Sequence, residues 1–160
     1  PADRNDWLDS VVKPISYAVD PPFLELGHLA QPAPGQQEDR EWQDALDETI
    51  RAIAGLTAVD GATILTDRHE LVAFGAKLTR RDGGTPVEQV TITEPIEGTD
   101  ALIVHPTRLG GTRHLSAAQF VQDQHDAIAL VASQDGRFTV FAWSPCENMV
   151  HAHRVESLLL

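Results

Sequence analysis

Two stretches decide the fold: Gly110-Gly111-Thr112-Arg113-His114-Leu115-Ser116-Ala117-Ala118-Gln119-Phe120-Val121 and, after a short polar break, Ala127-Ile128-Ala129-Leu130-Val131-Ala132. In the first, a glycine pair gives way to Ala117, Ala118, Phe120 and Val121, which share one face of a helix running to Gln124. The second is a continuous apolar run, expected to be a strand buried on both sides. Asp135-Gly136 then turns the chain into a further strand, Phe138-Thr139-Val140-Phe141-Ala142-Trp143. Interleaved helix and strand predict an α/β protein, a sheet with helices on its faces.

Working outward, Glu38 to Leu56 predicts an amphipathic helix. Trp42, Leu46, Ile50, Ile53 and Leu56 mark its apolar face, with acids early and Arg51 late to suit the dipole. Ala62-Thr63-Ile64-Leu65-Thr66 and Leu71-Val72-Ala73-Phe74 flank the polar Asp67-Arg68-His69-Glu70, the pattern of a hairpin. Arg80-Arg81-Asp82-Gly83-Gly84 reads as a loop and Val90-Thr91-Ile92-Thr93 as a strand, while Ala101-Leu102-Ile103-Val104 fits either a strand or a buried turn. Met149, Ala152, Val155 and Leu159 predict a closing helix over Asn148 to Leu160. At the front, Trp7 to Ile15 predicts a short helix ended by Pro14. Asp20-Pro21-Pro22 and Gln31-Pro32-Ala33-Pro34-Gly35-Gln36-Gln37 predict a connection over the surface. The expected organisation is therefore a front segment, 1–37, and a compact domain, 38–160.

A chain of 160 residues suits one domain at about 100–200 residues each, and it can bury a core without disulfides or structural metal. Twelve Lys and Arg against 24 Asp and Glu give a net charge of −12, which repels nucleic-acid phosphates and anionic lipid. Neither nucleic acid nor membrane is an expected partner. The lone Cys146 excludes a cystine scaffold and leans towards a reducing compartment. With no apolar span and no secretory leader in Pro1-Ala2-Asp3-Arg4, a cytoplasmic location is expected. Beginning at Pro1 and ending on Leu158-Leu159-Leu160, the chain reads as an excerpt of something longer, which leaves room for other domains.

The sharpest chemical feature is Gly110-Gly111-Thr112-Arg113-His114 ahead of a helix. Glycines let the backbone approach a ligand, and the free N–H groups of the following helix attract an anion. Arg113 can fork two donors onto phosphate oxygens, Thr112 adds a hydroxyl, and Arg108 adds charge. The competing structural reading is a cap supplied by Thr112 or by Ser116, with Gln119 completing a capping box. Asp60-Gly61-Ala62, at the mouth of a strand, offers a carboxylate for Mg²⁺ or Mn²⁺, or is simply a turn.

In this order, Asp60-Gly61-Ala62, Gly111-Thr112-Arg113-His114 and Ser133-Gln134 resemble the diadenylate cyclase family. The likeness is to the nucleotide-binding domain of the bacterial DNA-integrity-scanning protein and its membrane-bound relatives, and covers about Trp42 to Ala142. That family carries Asp-Gly-Ala, then Gly-Thr-Arg-His-Arg, then an apolar strand ending in Ser-Glu. The resemblance implies a mixed, largely antiparallel central sheet flanked by helices. It also implies a reaction in which two ATP, on facing subunits, form cyclic di-AMP and release pyrophosphate, with a divalent metal, Mg or Mn. Each 3′-hydroxyl attacks the other nucleotide's α-phosphate, so self-association is required. By the same resemblance Asp60 serves the metal and the 3′-hydroxyl. Gly61, Ala62, Gly111, Arg108 and Ser133 lie against the nucleotide, and Thr112, Arg113 and His114 hold the triphosphate.

Two positions depart from the pattern. Leu115 stands where the family has its second arginine, and Gln134 where it has an acid that Asp135, next door, could replace only across a turn. A domain that keeps the cradle but loses part of its charge can bind a purine nucleotide without cyclising it, which gives the alternative of a sensor domain. A third alternative is an interaction module that binds no nucleotide. His151, His153, His125 and Cys146 match no usual zinc spacing, since positions two apart on the expected helix do not share a face. Trp42 and Trp143 read as core.

Overall fold

The computed structural model describes residues 6–94, 101–133 and 137–156. These form two compact units, one of Val12–Lys77 and the other of the residues up to Val11 with those from Leu78 onward. The compositional boundary at 37/38 lies within the first.

The 12–77 unit contains β1 (Tyr17–Phe23), α1 (Glu25–Leu29), α2 (Arg40–Leu56), β2 (Ala62–Leu65) and β3 (Leu71–Ala76). Its sheet is antiparallel in the order β1-β3-β2, and the β2–β3 hairpin matches the alternation in the sequence. Asp39 starts α2 by accepting a hydrogen bond from the Glu41 N–H at 2.9 Å, satisfying one orphan donor of the first turn. Thr49 and Ile53 are buried and Trp42, Leu46 and Leu56 half-buried, but Ile50 stays exposed at the margin of the stripe. Arg51 pairs with Asp47 one turn earlier, at 3.6 Å. Asp20-Pro21-Pro22 is not a free connection: it lies within β1. An edge strand accommodates prolines because half its backbone N–H groups face solvent, and the pairing register slips between Ala18 and Phe23 where they sit.

In the second unit a 3₁₀ turn (Asp6–Ser10) replaces the longer leading helix expected there. The chain leaves it because Val11 bridges to Leu78 and Ser10 accepts from the Thr79 N–H. There follow β4 (Val90–Thr93), β5 (Leu102–Val104), a 3₁₀ turn (Pro106–Arg108), α3 (Thr112–Asp123), β6 (Ile128–Ala132), β7 (Arg137–Ser144) and β8 (Met149–Glu156). The ambiguous segment at 101–104 is thus a strand. The order is β5-β4-β8-β7-β6, parallel between β4 and β8 and antiparallel elsewhere. The described residues form an α/β protein with three α-helices and two sheets, one a mixed, mostly antiparallel five-stranded sheet. Among the described residues no helix is long and apolar enough to cross a membrane.

The closing helix expected from Asn148 onward is instead the strand β8. Val150 and Ala152 are buried while His151 and His153 lie on the opposite side, an alternation of period two that a neighbouring strand on each side rewards with hydrogen bonds. Asn148 adopts φ of 53°, which closes the tight turn from β7. Residues 157–160 of that expected helix, and the turn at Gln134-Asp135-Gly136, lie outside the described residues. Strand β6 is also not buried on both sides. It is the sheet's edge, with Val131 inward and Ile128 and Leu130 each 68% exposed.

The core lies between α3 and one face of the sheet, where Ala117, Ala118 and Val121 meet Phe141, Val150, Ala152, Val90 and Val131. Phe141 is completely buried, so Phe141→Ala should lower stability in urea unfolding by about 3–5 kcal/mol. Ile128→Ala, at the exposed edge, should stay within about 0.5 kcal/mol of the parent.

Candidate functional site

Gly111 is the residue at which α3 begins, with extended backbone and no side chain to cap the helix. Thr112 already lies in the first turn, and Ser116 is inside the helix, so neither closes it. Gln119, the other half of the expected capping box, is spent elsewhere. Its Oε1 accepts from the Val87 N–H at 2.9 Å, and its Nε2 donates to the Thr85 carbonyl and to Asp123, both at 3.1 Å. The start of α3 therefore offers backbone N–H groups and a positive dipole end without an internal side-chain anion.

Gly111, Thr112 and Arg113 are exposed at this end, and Arg108 is exposed at the close of the preceding 3₁₀ turn. His105 caps that turn, its Nδ1 accepting from the Thr107 N–H at 3.3 Å. His114 behaves differently from its neighbours. It is buried, and its ring meets Phe141 edge-on at 6.1 Å. Gly110 is required by this arrangement, since a Cβ there would run into the His114 ring. The imidazole expected to hold a triphosphate is thus a wedge beneath the loop, seating the glycine turn on the sheet.

A cavity of about 360 Å³ opens along the next turn of α3, bounded by Leu115, Ser116, Thr79, Arg80 and His105. That lies at the small end of the range of about 300–1,000 Å³ usual for ligand sites. The segment that forms its far wall is bound to α3 at several points. Besides the Gln119 bonds, Asp123 accepts from the Arg81 N–H at 2.8 Å. Arg81 itself is neutralised by Asp9 at 3.6 Å, and Arg154 by Glu94 at 3.0 Å. Arg80, Arg108 and Arg113 have no carboxylate within 4.0 Å among the described residues. In a chain with twice as many acids as bases, three unpaired arginines around one helix start and its cavity are a local reversal of charge.

Ser133 follows β6 in the same unit, and the short turn from α3 brings that strand back beside the helix towards the end where the helix begins. Asp60, Gly61 and Ala62 belong to the 12–77 unit. Asp60 is exposed in the turn before β2, and Ala62 pairs with Ala76. Gly61 has φ of +121° and lies so near Gly75 that a side chain would meet its backbone, so this glycine serves a close strand approach. Comparison with family models, curated proteins and solved structures finds no match.

No group of three or more His, Cys, Asp or Glu is arranged to hold a metal among the described residues. Asp60 is a single exposed carboxylate. Among the described residues the donor set does not fit a resident divalent ion, so a metal bound there would have to arrive on a nucleotide's own phosphates. On β8 the two-residue spacing puts His151 and His153 on one face, rings 5.8 Å apart, reversing what the expected helix implied. His151 is nonetheless taken by Glu147 at 2.9 Å and His153 by Thr93. Trp143 stacks on His125 at 3.6 Å, and Cys146 is exposed in the turn between β7 and β8. Arg80 and His105 were not singled out by sequence reasoning. The only signal was the basic pair Arg80-Arg81 in an acidic chain.

Gly110→Ala should force the His114 ring aside and lower stability in urea by about 1–3 kcal/mol. Gln119→Leu would strip the buried Val87 N–H of its acceptor, and an unfolding curve should show a loss of about 1–3 kcal/mol.

Proposed function

We propose that this chain is a diadenylate-cyclase-like domain that binds a purine nucleotide through its phosphates at the start of α3 and acts as a sensor, reporting occupancy to another domain. The observation that carries this is the pair of exposed, unpaired arginines, Arg108 and Arg113, at an uncapped helix N-terminus that Gly111 leaves open, in a chain of net charge −12. Phosphate oxygens would accept from the first-turn N–H groups and the Thr112 hydroxyl, while the Arg113 fork and the Arg108 charge compensate the anion. Gly111 and Ser133 lie against the nucleotide in this scheme, and His114 positions the loop from below. The nucleotide places the domain in the cytoplasm.

Two features favour sensing over turnover. His114 is committed to the core, and Leu115 puts an apolar side chain in the cavity wall where a cyclase of this pattern has a guanidinium. Cyclase activity remains the second reading because Asp60 presents an exposed carboxylate, as the Asp-Gly-Ala pattern of the family requires. Under it, two chains face each other, each 3′-hydroxyl attacks the opposite α-phosphate, and pyrophosphate leaves; Gly61 and Ala62 lie beside the nucleotide and Asp60 meets the 3′-hydroxyl. Mg or Mn, carried in on the phosphates, would withdraw charge from the reacting group.

Calorimetry with ATP and with cyclic di-AMP, beside mass-detected chromatography after incubation with ATP and Mn²⁺, separates these readings. The sensor reading expects binding of at least one nucleotide, weakened about tenfold or more by Arg113→Ala, without formation of cyclic di-AMP. Product that vanishes in Asp60→Asn would establish the cyclase instead. Absence of binding by either nucleotide would leave an interaction module and overturn both.

A further inference from the structure

The cavity beside α3 is bounded on the helix side by Leu115 and Ser116 and on the other by Thr79, Arg80 and His105. Gln119 also borders it but has no donor left to offer an anion, since both amide hydrogens are engaged. Among the described residues Arg80 is the only arginine or lysine of the lining. Its neighbours on both sides are tied down: the Thr79 N–H donates to Ser10 at 2.9 Å, and the Arg81 N–H to Asp123 at 2.8 Å. Backbone held on both flanks delivers the Arg80 stem to one place, while its guanidinium meets no carboxylate among the described residues. Arg81, by contrast, turns to Asp9 and contributes no free charge.

Leu115, which also packs against the core, and Arg80 thus border one cavity, and Leu115 is the position at which the sequence departs from the pattern it resembles, which has a second arginine there. We propose that Arg80 supplies to this cavity the guanidinium that Leu115 does not, making it a second phosphate subsite, one turn of α3 away from the first. This rests on the nucleotide reading given above. The ligand class follows from two places that carry arginine: Arg108 and Arg113 at the helix start, and Arg80 in the cavity that His105, Thr79 and Ser116 also line. Two separated anion sites suit a ligand with more than one phosphoryl group, a nucleoside polyphosphate or a cyclic dinucleotide. A fork of donors is the group that such oxygens select.

The test is calorimetry with ATP and with cyclic di-AMP on the full chain, on Arg80→Ala, on Leu115→Arg in the Arg80→Ala background, and on Arg51→Ala as a control whose charge lies on α2. Thermal melting checks that each variant is folded. Arg80→Ala should weaken the bound nucleotide about tenfold or more, Leu115→Arg should recover most of that loss, and Arg51→Ala should match the parent. Parental affinity in Arg80→Ala would overturn the subsite and leave the nucleotide reading standing. A loss that Leu115→Arg does not repair would make Arg80 a holder of its loop, and would overturn the proposal too. If the parent chain binds neither nucleotide, the nucleotide reading itself fails and this proposal with it.

Discussion

Helix α3 can lie close to its sheet because the residues it turns inward are small. Ala117 and Ala118 carry almost no side chain, so the helix backbone approaches the strands and Val121 and the Phe141 ring fill the remaining space. Most of what distinguishes this unit depends on that seating. The glycine turn at 110–111 is held at its height by the His114 ring beneath it. The segment from Thr79 to Val87 is laced to the outer side of the same helix through Gln119 and Asp123. A buried polar side chain such as Gln119 is tolerable only when its polar atoms are hydrogen-bonded, and here both its nitrogen and its oxygen are. One helix therefore sets both the direction in which its own N-terminus points and the wall of the cavity beside it.

Charge gives that geometry its character. Each arginine that pairs in this unit, Arg81 with Asp9 and Arg154 with Glu94, is neutralised by an acid at its side. Arg80, Arg108 and Arg113 meet no carboxylate within 4.0 Å among the described residues, and the helix dipole adds to them. Against a background of −12, such a region attracts anions within about a Debye length, roughly 8 Å at physiological salt, beyond which salt screens both this attraction and the repulsion by the acidic remainder.

Several elements show why local pattern does not always settle structure. Over residues 149–156 the helical spacing of Met149, Ala152 and Val155 competed with the alternation of Val150 and Ala152 against His151 and His153. Strand won because β4 and β7 flank the segment and satisfy its backbone on both sides, a reward that no window of sequence contains. The apolar run at 128–132 has the composition of a central strand, yet it forms the edge, leaving Ile128 and Leu130 to solvent. The prolines at 21 and 22 read as a break, but an edge position on β1 absorbs them.

The sequence alone determined the α/β class, α2, the β2–β3 hairpin, α3 and the glycine turn before it. All are local: periodicity over one segment, a cap at Asp39, glycines where backbone must pass closely. It also determined which residue types gather before α3. Only tertiary structure decided which of them face outward. His114 and Arg113 are adjacent in the chain, yet a helix turns successive residues by about 100°, so one enters the core and the other meets solvent. Likewise nothing local joins Arg80 to Leu115. They border one cavity because hydrogen bonds from a buried glutamine and an aspartate carry a distant loop onto the helix, and such long-range closure is set by packing rather than by spacing.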